Sequence, residues 1–249
     1  MPEVSTHLVM VVAAFLVAGI VKGIIGLGLP TVAIGLLSLL MPPAQAAAIL
    51  TAPSFVTNVW QAVVGGRLFD LLKRFWVMLA GVVIGIFIGA GMLTGANTTL
   101  AVTGLGIALI AYAVWGLFGV PLRVSPSAER WLSPIIGIVT GLVTGATGVF
   151  VIPAVPYLQA LEMERDELVQ ALGIFFLTST IALTVVLYRA GLFQTGGVAA
   201  MSLIAIVPAV IGMWIGQKIR EFISPKTFRI VMLCGVLILG LHLASRALI

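Results

Sequence analysis

The sequence predicts an all-α integral membrane protein built of two inverted repeats. Each repeat is a glycine-broken pair of short helices, a hairpin, followed by three transmembrane helices. Three observations carry this reading. Of 249 residues, 61% are hydrophobic and only 8% charged, whereas a soluble domain is about a quarter charged. Two apolar segments, 8–41 and 132–161, are too long for one span, and each contains a glycine-rich interruption. Finally, the halves match one another. Gly19-Ile20-Val21 and Gly23 recur as Gly137-Ile138-Val139 and Gly141 at an offset of 118, and Gly26 recurs as Gly145 after one inserted residue. Gln45-Ala46, Ser54 and Gly66 recur as Gln170-Ala171, Ser179 and Gly191 at an offset of 125, and Gly85 and Gly89 as Gly212 and Gly216 at 127. Duplication followed by small loop insertions leaves such a slowly growing offset. Interrupted hydrophobic segments at corresponding places in two halves point to a transporter with its site at the breaks.

The first repeat takes in residues 1–118. Its long segment has 34 residues. As one helix it would be about 51 Å long, against a hydrocarbon core of about 30 Å. Two full spans need about 40 residues, so two short helices joined at GIVKGIIGLGLP, Gly19 to Pro30, are predicted. Segments 44–66, 75–95 and 98–118 have ordinary span lengths. Residues 119–131, GVPLRVSPSAERW, carry Pro121, Ser125 and Pro126 and are predicted to be the linker between halves. The second repeat, 132–249, opens with the other long segment, broken at GIVTGLVTGATGVFVIP, Gly137 to Pro153. EMERDE, 162–167, is predicted to be a solvated acidic loop, and 168–190, 197–217 and 227–246 are three more spans. Scattered glycines such as Gly81, Gly104 and Gly235 are read as positions of close helix packing. Together the repeats form one membrane domain.

Charge placement decides how the long segments run. If each enters and leaves on one side, Arg67, Lys73, Arg74, Arg123, Arg130, Arg165, Lys218, Arg220, Lys226 and Arg229 share a face. That is 10 cations against 2, Arg189 and Arg246, with Lys22 inside the membrane. If each crosses once, the split is 7 against 5. The positive-inside rule selects the hairpin. It places a multi-pass protein in the cell membrane with both termini non-cytoplasmic, and repeats with an odd number of segments then insert in opposite orientations. An eight-span parallel repeat is the alternative. MPEVSTH has no basic region ahead of its apolar run, so no cleaved signal peptide is expected.

Composition also excludes function classes. The net charge of +5 lies in short loops, where it sets orientation, and does not point to nucleic acid. A single cysteine, Cys234, allows no internal disulfide, and no group of residues has metal-ligand spacing. His7 and His242, near the two ends, are read as interfacial or solvated. Glu3, Asp70, Glu129, Glu162, Glu164, Asp166, Glu167 and Glu221, the complete set of acids, all fall in predicted loops or termini. The membrane interior therefore has no carboxylate for a proton relay or for cation coordination, which argues against a metal or sodium pump. With no phosphate-binding loop, no nucleophile-base pair and no zinc motif, neither an enzyme nor a cofactor is expected.

The candidate site residues gather at the breaks. Gly26, Gly28 and Pro30 form the first break, and Gly145, Thr147 and Gly148 the second. Glycine admits unusual backbone angles and close ligand approach, and proline starts a helix without losing a hydrogen bond. Each restarting helix presents unpaired N–H groups and a positive dipole end, which suit a small anion. Lys22, one turn before the first break, either faces the site or snorkels to an interface. Its counterpart in the second half is Thr140. Thr51, Ser54, Asn58 and Gln61 share one helical face with Thr57 beside them, and there they either bond a partner helix or line a cavity. Gln170, Thr178, Ser179, Thr180 and Thr184 form a looser polar set, and Pro53 opens its helix near the first set.

The repeated break, Gly23, Gly26, Gly28 and Pro30 and then Gly141, Gly145, Gly148 and Pro153, resembles the TauE/SafE family of membrane proteins. The resemblance runs across nearly the whole chain, including Gly66 and Gly191. The first copy is similar to the branch with G-x-G-x-P, and Leu29 and Val149 stand where a further glycine is common. The resemblance implies movement of sulfur-containing oxyanions, usually export of sulfite, sulfoacetate or other organosulfonates.

The expectation is thus a secondary transporter of small sulfur-containing anions, working by alternating access around a midplane site. Lys22, Gly26, Gly28, Ser54, Asn58, Gln61, Gly145, Thr147, Gly148 and Ser179 are its expected substrate-binding residues. The alternatives are an anion channel or a carrier of another small anion such as a carboxylate. Its partners are the anion and the lipid bilayer, with a homodimer left open.

Overall fold

The computed structural model describes residues 2–95, 97–120, 122–194 and 196–245. All regular structure among them is helical. In chain order the helices are α1 (Pro2–Ile25), α2 (Leu29–Leu37), α3 (Pro43–Val63), α4 (Leu68–Thr94), α5 (Thr98–Phe118), α6 (Pro126–Thr147), α7 (Ala154–Ala160), α8 (Arg165–Arg189), α9 (Val198–Ile204), α10 (Ile206–Ile219) and α11 (Pro225–Ser245). Among the described residues six stretches are long and apolar enough to cross a membrane: Leu8–Ile25, Leu68–Thr94, Thr98–Phe118, Arg165–Arg189, Val198–Ile219 and Lys226–Ser245. α3 and α6 have similar lengths, 21 and 22 residues, but carry more polar side chains. Trp60, Ile88, Ile107, Leu203 and Ile238 are among the large apolar residues exposed on the outside of the bundle. Hydrocarbon tails cover such a surface at no cost.

Non-helical breaks at 26–28 and 148–153 divide both long segments, but the two helices of each pair are unequal. α1 has 24 residues and α2 only 9; α6 has 22 and α7 only 7. The prediction of two short helices per segment is corrected to one long helix and one short one. In the second half, the cause lies in the linker. Ser125 caps α6 by accepting from Ala128 N at 3.3 Å, and Pro126 occupies its first turn. Residues 126–131 are therefore helix rather than connection. The acidic loop is shortened the same way, since Arg165, Asp166 and Glu167 form the first turn of α8, where carboxylates meet the positive helix end. The span predicted at 197–217 is present, made of two helices that meet at Ala205. Pro208 explains the interruption, because it offers no N–H to the carbonyl of Ile204.

Ion pairs join the connections at one end of the bundle. Arg74 forms a two-pronged bond with Glu129, Nε to Oε1 at 2.7 Å and Nη2 to Oε2 at 2.8 Å. Arg74 and Arg67 both reach Glu167, at 3.5 and 3.4 Å, and Arg123 meets Glu162 at 2.8 Å. Residues 67–74, 123–129 and 162–167 thus share an end. Arg246 lies outside the described residues, and the side chain of His7 is likewise undescribed.

The most extensive helix contacts run between halves: α4 with α6, and α1 with α10. Glycines make both possible. A Cβ on Gly85 would sit 2.8 Å from the Gly141 Cα, and one on Gly141 would strike the Val82 carbonyl. In the other seam a Cβ on Gly23 would meet the Gly216 Cα at 2.8 Å, and one on Gly212 would strike the Leu16 carbonyl. Small residues let membrane helices approach to backbone contact. Gly81 belongs to the first seam, with Pro134 O at 2.9 Å from such a Cβ. Gly235 was expected to pack in the same way, yet a Cβ there would meet nothing within 4 Å. It borders a groove instead.

Candidate functional site

α1 carries Lys22 to the level at which α3 turns its polar face inward. The lysine is 4% exposed. Its Nζ donates to Thr57 Oγ1 at 3.1 Å and to Asn58 Oδ1. Both acceptors are neutral, and none of the ion pairs among the described residues includes Lys22. An ammonium has three donors, so one is left over. Both partners are themselves fixed. The Thr57 hydroxyl donates to Pro53 O at 2.8 Å, leaving its lone pairs toward Lys22. The Asn58 amide donates to Thr180 Oγ1 of α8 at 3.4 Å. Of the two readings of Lys22, the structure shows the buried one.

One turn further along α3, Gln61 Nε2 donates to the carbonyl of Gly26 at 3.0 Å and to that of Val169 at 2.9 Å. It ties the first break to α8. Gln170 makes the reciprocal tie, donating to Ala62 O at 2.8 Å and accepting from Arg67 N at 3.1 Å. Gln61 Oε1 and Ser54 Oγ are buried without a hydrogen-bond partner, as is Thr31 Oγ1 in the first turn of α2. Buried polar atoms of this kind call for a partner.

A cavity of about 210 Å³ opens beside these groups, lined by Lys22, Gly26, Thr57, Gln61, Arg165 and Arg220 among others. Three of those side chains are cationic and no acid lines the space. Desolvated positive charge with no counter-ion attracts an anion into such a space.

The structure brings Lys22, Gly26, Asn58 and Gln61 together, with Ser54 one turn away along α3. Gly28 lies just beyond, at the start of α2 with φ of 101°; a Cβ there would meet Val21 and Met232 at 3.1 and 3.5 Å. The second break lies elsewhere. Gly145 is inside α6, facing the backbone of Ile86 and Ala90 in α4. Thr147 donates to Val143 O at 2.7 Å and accepts from Val149 N at 3.2 Å. Gly148 ends α6 with φ of 74° and abuts Ile34 of α2. Ser179 is buried, its hydroxyl donating to Phe175 O at 2.9 Å. None of these four lines the cavity around Lys22.

Sequence reasoning missed Arg165, Arg220 and Gln217 as lining residues. The two arginines carry a signal only as loop cations, which orientation already explains, and nothing local says that they fold over a cavity. The asymmetry between halves was legible at Lys22 and extends to α3. At the offset of 125 that matches Ser54 with Ser179, Asn58 and Gln61 fall opposite Leu183 and Val186. The duplicated framework therefore carries these two amides in one half only.

Residues 11–243 match the family described as Sulfite exporter TauE/SafE. No curated protein and no solved structure matches the chain. With helices of membrane-crossing length throughout and a family match over all but the two ends, the chain belongs to the TauE/SafE family of membrane transporters.

Proposed function

We propose that the protein is a secondary carrier of small sulfur oxyanions, exporting sulfite or an organosulfonate such as sulfoacetate by alternating access. The observation that carries this reading is Lys22, a buried ammonium held only by neutral oxygens beside a cavity without acids. A buried charge is costly unless paired, and an oxyanion supplies both the missing charge and an acceptor for the third N–H. Ser54, whose hydroxyl can donate, orients the bound ion, Gln61 holds the break in place, and Arg165 and Arg220 draw the ion in.

The two halves are read as inverted repeats, each with its break reaching toward the midplane. The exchange of partners between halves, α1 with α10 and α4 with α6, supports this. So does the ion-paired end, since Glu167 meets Arg67 and Arg74 there, as the hairpin topology requires and a single crossing does not, and the positive-inside rule then makes that end cytoplasmic. Arg165 belongs to the same end, so the Lys22 cavity faces inward and the described state is ready to load from the cell. The second break, with Gly145, Thr147, Gly148 and Ser179 around it, is read as the closed outer gate that opens when one half rocks against the other. Among the described residues the carboxylates of the long helices sit in first turns, as Asp70, Glu129, Asp166 and Glu167 do, and not in the middle of a span, so a proton would ride on the substrate itself.

A thermal-shift screen of purified protein against sulfite, sulfoacetate, taurine, sulfate, thiosulfate and chloride tests the site, because a ligand of the folded state raises its melting temperature. Stabilisation by a sulfur oxyanion in the native protein, absent in Lys22→Met, is expected. Equal shifts in both proteins would sink the assignment of Lys22. Flux into proteoliposomes that never saturates would make the protein a channel.

A further inference from the structure

A second collection of unpaired cations lies on the far side of the break. Arg165, Lys226, Arg229 and Gln159 line a cavity of about 450 Å³ together with Ile25 and Gly26. No acid lines it, and none of the ion pairs among the described residues involves these three cations. One helical turn deeper, on the same faces of α1 and α11, begins an apolar groove of about 530 Å³. Its walls include Val17 and Val21 of α1, Leu36 of α2, and Met232, Gly235 and Leu239 of α11. On α11 the two sites form a single stripe: Lys226, Arg229, Met232, Val236 and Leu239 follow at steps of three or four, so they share one helix face. The rim residues Val231 and Ile238 are 65% and 68% exposed, so the groove opens outward into the bilayer.

We infer that this stripe is a binding site for an anionic glycerophospholipid, its phosphodiester on Arg165, Lys226 and Arg229 and one acyl chain in the groove between α1, α2 and α11. Basic pockets between membrane helices select anionic headgroups. The dimensions agree, because ten residues from Arg229 to Leu239 rise about 15 Å, half the hydrocarbon thickness and the depth of one leaflet. A free anion would use the cations but not the groove; an uncharged lipid would use the groove but not the cations. The lipid also has something to hold. Gly28 of the first break packs against Val21 and Met232, both walls of the groove, so an acyl chain there buttresses the segment that bends beside Lys22.

Native mass spectrometry and thermal melts of the full chain in a neutral detergent test this, with phosphatidylglycerol, phosphatidylcholine of the same chains, and inorganic phosphate as probes. Phosphatidylglycerol is expected to remain bound and raise the melting temperature, while the other two do neither. Lys226→Gln with Arg229→Gln should weaken it by about fivefold per cation removed. Gly235→Trp, which enters open space, should displace the chain while leaving the lipid-free melting temperature unchanged. Equal binding of phosphatidylcholine would overturn the headgroup assignment. An equal effect of inorganic phosphate would make the cations a free-anion site, and phosphatidylglycerol binding untouched by Gly235→Trp would remove the groove.

Discussion

Lys22 on α1 donates to Asn58 on α3, and Asn58 in turn donates to Thr180 on α8. Lys22, the one buried cation among the described residues, is thus held by a relay of neutral groups from two helices. Asn58→Leu should strand the ammonium with Thr57 as its single partner and cost about 3 kcal/mol. Adding Lys22→Met to that variant should recover more than half of the loss, because removing both partners is far milder than removing one. Melting temperatures of the two single variants and the double variant in detergent measure the coupling, and strict additivity would show that the pair does not interact.

The glycine seams predict a sharp contrast within one helix. Gly85→Ala, in α4, drives a methyl into the Ile138 carbonyl and should cost about 1–3 kcal/mol as α4 and α6 are pushed apart. Gly91→Ala, also in α4 but with nothing near its Cβ, should be neutral or stabilising by up to about 1 kcal/mol. Similar melting temperatures for both variants would argue against seam packing.

The two breaks should differ in tolerance. Gly26 has φ of 84° and Gly148 has φ of 74°, so alanine at either pays about 1 kcal/mol or more in backbone strain. At Gly26 a Cβ finds only Val169, at 3.9 Å, whereas at Gly148 it collides with Ile34. Gly148→Ala should therefore melt lower than Gly26→Ala, and the reverse order would contradict the packing of the second break on α2.

Orientation has a direct chemical test. In a Cys234→Ala background, Ser127→Cys and Gln194→Cys place exposed thiols at opposite ends of the bundle. A membrane-impermeant maleimide added to intact cells should label Gln194→Cys at once, and Ser127→Cys only after lysis. The opposite pattern would invert the topology.

Much of this architecture was readable from the chain. The breaks were visible because a segment of 34 residues fits neither one span nor two, and the polar face of α3 because Ser54, Asn58 and Gln61 repeat at helical spacing. The unequal helix pairs were hidden, because a cap at Ser125 lengthens α6 into what composition marks as a linker. Gly145 was equally ambiguous: a glycine at a break and a glycine at a helix crossing look alike until the opposing helix is placed, and its partner Ile86 lies in the other half of the sequence. Arg165 and Arg220 could be assigned a side of the membrane but not a cavity, since only tertiary folding carries their side chains to Lys22.

The seam between α1 and α10 has a consequence for the order of events during synthesis. α1 is made first, yet the helix that fits its glycine stripe, Ile206–Ile219, emerges only when most of the chain is already in the bilayer. Until then Gly19 and Gly23 present a bare backbone notch to lipid, and Lys22 sits beside it. The nascent first half is consequently an incomplete object, dependent on the cell's insertion machinery to shelter one face for the time taken to translate nearly two hundred further residues. Translational pauses between α1 and α10 would lengthen that exposure, so yield of this protein in the membrane should depend on codon choice before α10 more than after it.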